Sequence, residues 1–108
     1  MNIDPMRSLH VLHEYGPRYA KAKAERVYIE ESLRSIKAIE MKASDEQTAA
    51  AQEREAYASQ AYRDQVAGLR VAVEAEEACR WKLIAAQAAI EVYRTMEASN
   101  RRLDKAAA

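Results

Sequence analysis

His10, His13 and Glu14 are the nearest approach to a metal-ligand set in this chain of 108 residues. Imidazoles three residues apart on a helix fall on nearly the same side, but a tetrahedral site needs third and fourth donors, and no other nitrogen or sulfur ligand follows at a suitable spacing. Cys79 is the single cysteine. With no histidine or second cysteine nearby it reads as a small buried hydrophobe, and it gives no intrachain disulfide, which fits a reducing cytosolic setting. There is no glycine-rich phosphate loop, no serine or cysteine nucleophile beside a base, and no carboxylate pair on a concave scaffold. The residues therefore predict no enzyme, no metal, no cofactor and no small-molecule substrate.

Binding of a polyanion is the chemistry the charges do allow. Lys and Arg total 17, as do Asp and Glu, so the formal net charge is zero. The distribution is uneven: residues 1–43 carry eight basic and six acidic groups, 44–77 three and eight, and 78–108 six and three. An antiparallel hairpin would place Arg18, Lys21 and Lys23 beside Arg94, Arg101, Arg102 and Lys105, where several cations can share a phosphate backbone and release its counterions. Tyr19 and Tyr93 would offer flat faces for unpaired bases. The competing reading is a solvated face, because Lys and Arg near a helix carboxyl terminus also complement its dipole.

Those positions require long helices. The chain has no phenylalanine, two glycines and two prolines, and alanine supplies much of its apolar content, which predicts an all-α protein. Asp4 and Pro5 form a start signal, cap then first helical residue, for a short helix over 5–15. Gly16 and Pro17 predict a break, since the residue before proline is driven from helical dihedrals. A helix over 18–43 follows, with Tyr15, Tyr19, Ala22, Ile29, Leu33 and Ile36 on its apolar stripe and Lys23, Arg26, Arg34 and Lys37 beside it. The connection is 44–48. Thr48 caps a short helix over 49–58, and Ser59 caps a long helix over 60–104.

On the long helix one seam runs through Tyr62, Val66, Leu69, Val73, Glu76, Arg80, Leu83, Gln87, Ile90 and Arg94. A second line, Trp81, Ala85, Ala88, Val92 and Met96, keeps the same spacing on another face. Two apolar faces need two neighbours, so an elongated antiparallel hairpin, a single domain over 1–108, is expected to form a homo-oligomer through the second line. No apolar run reaches the eighteen residues of a membrane helix, and no signal-peptide plan opens the chain, so a cytoplasmic protein is expected.

The runs Ala51-Gln52-Glu53-Arg54-Glu55-Ala56-Tyr57-Ala58, Arg80-Trp81-Lys82-Leu83, Glu91-Val92-Tyr93-Arg94-Thr95 and Ala98-Ser99-Asn100-Arg101-Arg102, with Arg26-Val27-Tyr28-Ile29-Glu30, resemble a family of small helical proteins encoded by bacteriophages and prophages. More distantly the chain resembles the UvsY-type recombination mediators. The resemblance implies an accessory role in DNA recombination or replication within a bacterial cell, with single-stranded DNA or the proteins coating it as partners. The alternative is a coiled-coil adaptor, scaffold or host-protein inhibitor that binds no nucleic acid.

Overall fold

The computed structural model describes residues 2–107; Met1 and Ala108, the ends of the expected domain, lie outside the described residues. The chain is an all-α antiparallel hairpin. Helix α1 runs Pro5–Ala43, α2 Ala49–Ala58 and α3 Gln60–Ala107, and no strand occurs among the described residues.

The ends of the helices are set by short polar side chains. Asp4 Oδ1 accepts from the amides of Met6, at 3.0 Å, and Arg7, at 3.3 Å, and Pro5 takes the first helical position, where a proline sacrifices no bond. Thr48 Oγ1 accepts from the Ala51 amide at 3.1 Å and opens α2. Ser59 interrupts the helical path with extended dihedrals, φ −66° and ψ 150°, and its Oγ accepts from the Tyr62 amide at 3.2 Å to open α3.

One expected boundary is absent. The helix does not stop at Gly16 and Pro17 but passes through both. Two physical facts make that affordable. Glycine before proline removes the Cβ that would strike the pyrrolidine ring, which is half the reason the preceding residue avoids helical dihedrals. Val11 and Tyr15 before the proline and Tyr19 after it are all partly buried, so both sides are held by packing that outweighs one missing backbone bond.

The chain forms two compact units, residues 20–77 and the described residues 2–19 with 78–107, and α1 and α3 contribute to both. In the first unit α1 packs on α2 and the start of α3. Its least exposed residues include Ala22, Arg26, Ile29, Leu33 and Ile36 on α1 and Tyr62, Gln65, Leu69, Ala72 and Glu76 on α3. Ala56 of α2 is fully buried. In the second unit Val11, Tyr15 and Tyr19 line up with Cys79, Leu83, Ala86, Ile90 and Tyr93. Along α3 these residues alternate steps of three and four, the spacing of a coiled-coil seam.

That seam corrects the expected one. Tyr62, Leu69, Glu76, Leu83 and Ile90 do face inward, but their companions are Gln65, Ala72, Cys79, Ala86 and Tyr93, each one residue before Val66, Val73, Arg80, Gln87 and Arg94. The choice follows from burial cost. The observed rotation leaves Arg80, Gln87 and Arg94 in water and puts small residues inside, whereas the expected one would desolvate two guanidinium groups. Close approach over alanine follows: among the described residues Ala56, Ala72 and Ala86 are the buried apolar ones, and no large side chain is fully buried.

One charged pair remains within the first unit's seam. Arg26 donates from Nε to Glu76 Oε2 at 2.6 Å and from Nη2 to Glu76 Oε1 at 3.2 Å, while its Nη1 reaches Glu30 Oε2 at 2.9 Å. Glu76 is buried, with 7% exposure. The hydrogen bonds to Glu76 hold the Arg26 guanidinium in its protonated form more firmly than usual; desolvation opposes them, and the hydrogen bond to Glu30 adds to the stabilisation. Nearer the connection, Lys37 Nζ lies 3.2 Å from Glu53 Oε1 and 4.8 Å from the centre of the Tyr57 ring. The Tyr57 phenol, then the Glu53 carboxylate, raise the pKa of Lys37. Tyr57 meets Tyr62 edge to face at 5.1 Å, and Ser44 Oγ donates to Glu55 at 2.9 Å across the turn.

The two glycines should respond oppositely to alanine. Gly68 sits inside α3 with helical dihedrals and nothing within 4 Å of an added Cβ, so Gly68→Ala should raise stability by about 0.5–1 kcal/mol through reduced freedom of the unfolded chain. Gly16 has equally open space around it, but an added Cβ would meet the Pro17 ring along the chain. Urea midpoints should therefore rise for Gly68→Ala and stay level or fall for Gly16→Ala; a rise in both would refute the account of how α1 passes its proline.

Candidate nucleic-acid interface

The positions of the seven cations follow from where α1 begins. Because α1 starts at Pro5, Tyr15 and not Arg18 sets the nearby register: Lys82 Nζ donates to Tyr15 Oη at 3.0 Å, and Arg7, Ser8 and Val11 line a groove with Ala85, Ala86 and Ala89. Arg18 lies against this tyrosine, its guanidinium 5.0 Å from the ring centre, and pairs with Glu14 Oε1 at 2.9 Å. Lys82 approaches the same ring to 4.5 Å. From Lys82 to Arg94 is twelve residues of α3, or about 18 Å. Arg18 is thus not brought to Arg94, and Lys21 and Lys23 belong to the other compact unit. The expected juxtaposition rested on a helix starting at Arg18; the thirteen further residues of α1 displace its first turn along α3 by about 20 Å.

What the second unit does bring together is a stripe on α3. At 100° per residue, Arg94, Arg101, Arg102 and Lys105 fall within an arc of about 100° and a rise of about 16 Å. Arg94 lies 3.5 Å from Glu91 Oε1 on the preceding turn. No ion pair or hydrogen bond among the described residues engages Arg101, Arg102 or Lys105, and all three are exposed. Shallow grooves along the helix are lined by Tyr93, Arg94, Ser99, Arg101 and Arg102 and, further on, by Ala98, Asp104 and Lys105. Three acidic residues punctuate the stretch, Glu91, Glu97 and Asp104, so the field is that of a few directed cations rather than a uniform basic surface.

Tyr19 and Tyr93 do not stand as free stacking faces. Both occupy inward positions and are half-buried. Of the histidines, His10 Nε2 approaches Glu14 Oε2 to 3.7 Å, and among the described residues no group of three His, Cys, Asp or Glu side chains converges on one point. Cys79 is partly buried on the inner seam. Lys82, absent from the expected basic set, is the cation that faces α1 most directly. Its signal in the sequence was present but unread: it sits one residue before Leu83 on the seam, where a long side chain can reach over the packed surface.

The other expected surface is open to solvent. Trp81 is 59% exposed, with the Arg80 guanidinium 5.4 Å from its ring, and Ala88 and Val92 are exposed with it on the side of α3 turned away from the seam; Ala85 and Met96 are exposed on its flank, Ala85 also edging the groove shared with α1. Among the described residues no helix is long and apolar enough to cross a membrane.

Comparison of the chain with protein-family models, with curated proteins and with solved structures returns no match. The functional reading therefore stands on the stripe, the open face and the residues that position them.

Proposed function

We propose that this chain is a non-enzymatic accessory protein of DNA recombination or replication, of phage type and working in the bacterial cytoplasm, which binds single-stranded DNA or its protein coat as a homo-oligomer. The observation that carries the reading is the convergence of Arg94, Arg101, Arg102 and Lys105 on one arc of α3, three of them with no carboxylate partner among the described residues. Cations held in pairs are already neutralised; unpaired ones retain their charge for a phosphate backbone. The resemblance of the Arg80-Trp81-Lys82-Leu83 and Glu91-Val92-Tyr93-Arg94-Thr95 runs to phage helical proteins supplies the cellular setting.

Fluorescence anisotropy with labelled single-stranded DNA, titrated at several salt concentrations, tests it. The wild-type chain should bind at low salt and weaken as salt rises. The double variant Arg101→Ala, Arg102→Ala should bind more weakly and lose about 1.4 from the magnitude of the log–log salt slope, the share of two single-strand phosphate contacts. An unchanged affinity and slope in the double variant would remove the stripe from the binding site, and no wild-type binding at low salt would remove direct DNA binding altogether.

A second reading rests on the exposed Trp81. An adaptor, scaffold or host-protein inhibitor would present that face to an unrelated protein and leave the stripe as a solvated surface.

A further inference from the structure

Within the second unit, the outer side of α3 repeats the geometry of its inner side. Ala78, Trp81, Ala85, Ala88 and Val92 succeed one another by three, four, three and four residues, the step of a packed helical seam, and all five are exposed. Meanwhile the chain buries little of its own: among the described residues three alanines make up the buried apolar set. Trp81 and Val92 are 59% and 45% exposed, so much of the apolar surface of this line stands open to water.

We propose that this outer seam is filled by the same seam of a second copy, running antiparallel about a two-fold axis at Ala85. The occupant is a second copy because the residues complement themselves when reversed. With Ala85 against the partner's Ala85, Trp81 falls opposite the partner's Ala88 and Val92 opposite the partner's Ala78, so that each large side chain meets a small one. A parallel pair would set Trp81 against Trp81 and Ala88 against Ala88, crowding one layer and leaving the next empty. Met96 lies beyond the last matched layer, and Ile84, half-buried at the edge of the stripe, closes the rim beside Ala85. The Trp81 ring supplies the desolvated anchor that such an interface needs at each end of its short run of alanines.

The antiparallel order has a functional consequence that rests on the DNA-binding reading. Arg101 lies sixteen residues from Ala85, about 24 Å along α3, and the two-fold reverses the second copy, so the two basic stripes stand about 48 Å apart at opposite ends of the paired helices. Such a dimer bridges two strands, or two distant stretches of one, and does not enlarge a single contact.

Cysteine crosslinking in a Cys79→Ala background reads the pairing directly. Ala85→Cys should form a disulfide-linked dimer under mild oxidation. Ala88→Cys alone should not, while a mixture of Ala78→Cys and Val92→Cys chains should link to each other and not to themselves. Linkage of Ala88→Cys to itself would overturn the antiparallel order. Sedimentation equilibrium of the wild-type chain should give twice the chain mass, and Trp81→Glu should weaken dimerisation at least about 30-fold while its helical circular dichroism is retained. A monomeric wild type, or an unshifted Trp81→Glu variant, would overturn the interface. The bridging step is read separately, by pull-down of a second labelled strand by a bound first one. Crosslinked dimers that bind no DNA would refute the strand-binding reading and leave the pairing intact; dimers that bind one strand but recruit no second would refute the bridge alone.

Discussion

Glu76→Ala should lower the thermal midpoint by roughly 10 °C or more, the largest loss expected from any single side chain outside the helix ends. Glu76 is the buried acid of the seam, and both its oxygens accept from Arg26. Removing it leaves a guanidinium whose second carboxylate, Glu30, lies on its own helix and cannot hold α1 to α3. Glu76→Gln should fall between wild type and alanine, because the amide keeps one acceptor but loses the charge. The informative companion is the double replacement Arg26→Met, Glu76→Leu. Apolar residues of similar volume remove both desolvation costs, so stability should recover to near the wild-type value, while the polar layer that distinguishes one alignment from its neighbours disappears. Thermal melts followed by circular dichroism settle the first half, and crosslinks between the helices, which should become heterogeneous in the double variant, settle the second. A Glu76→Ala chain that melts within about 2 °C of wild type would show that the pair adds nothing to the fold.

Pro17→Ala should raise stability by about 2 kcal/mol: roughly 3 kcal/mol is regained from the missing hydrogen bond and the ring clash, less up to 1 kcal/mol for the extra freedom of the unfolded chain. The restored amide of residue 17 would donate to the His13 carbonyl, completing the backbone ladder of α1 where the proline now interrupts it. Urea unfolding with an unchanged slope and a raised midpoint is the expected record. No gain, or a loss, would mean that the two parts of α1 do not share one helical path in solution.

These two sites also mark where the sequence was legible and where it was not. The caps at Asp4, Thr48 and Ser59, the connection over 44–48 and the extent of α2 were readable because each depends on side chains reaching an amide two or three residues away. Gly16-Pro17 was misread because the local rule is correct and is overridden: what keeps the helix going is packing by residues on a distant part of α3, invisible in a window of neighbours. The seam was half readable for a different reason. Tyr62, Leu69, Glu76, Leu83 and Ile90 fix one line seven residues apart, but a second line can lie three or four positions further on. Only the partner helix decides between Ala72 and Val73, or between Ala86 and Gln87. The pairing of Arg26 with Glu76 depends on that same register, although the sequence alone puts Arg26 beside the apolar stripe of α1 and Glu76 on the seam of α3. The basic stripe on α3 was legible residue by residue, because its members lie on one helix; its supposed extension to Arg18, Lys21 and Lys23 depended on where the opposite helix began.

From Ser99 to Ala107 every residue of α3 is exposed. A helix of that length lacks the twelve to fifteen residues at which isolated helices begin to hold in water, so its order is borrowed from the packed turns before it. Arg101, Arg102 and Lys105 consequently ride on a segment whose amides should exchange faster than those of the seam, its last turns opening locally without the rest of α3. On the DNA-binding reading proposed above, a phosphate chain settling there would have to fix those turns, so its affinity would depend on helix propensity as well as on charge, and Asn100→Ala, which touches no ligand, should tighten single-stranded DNA binding in the anisotropy titration.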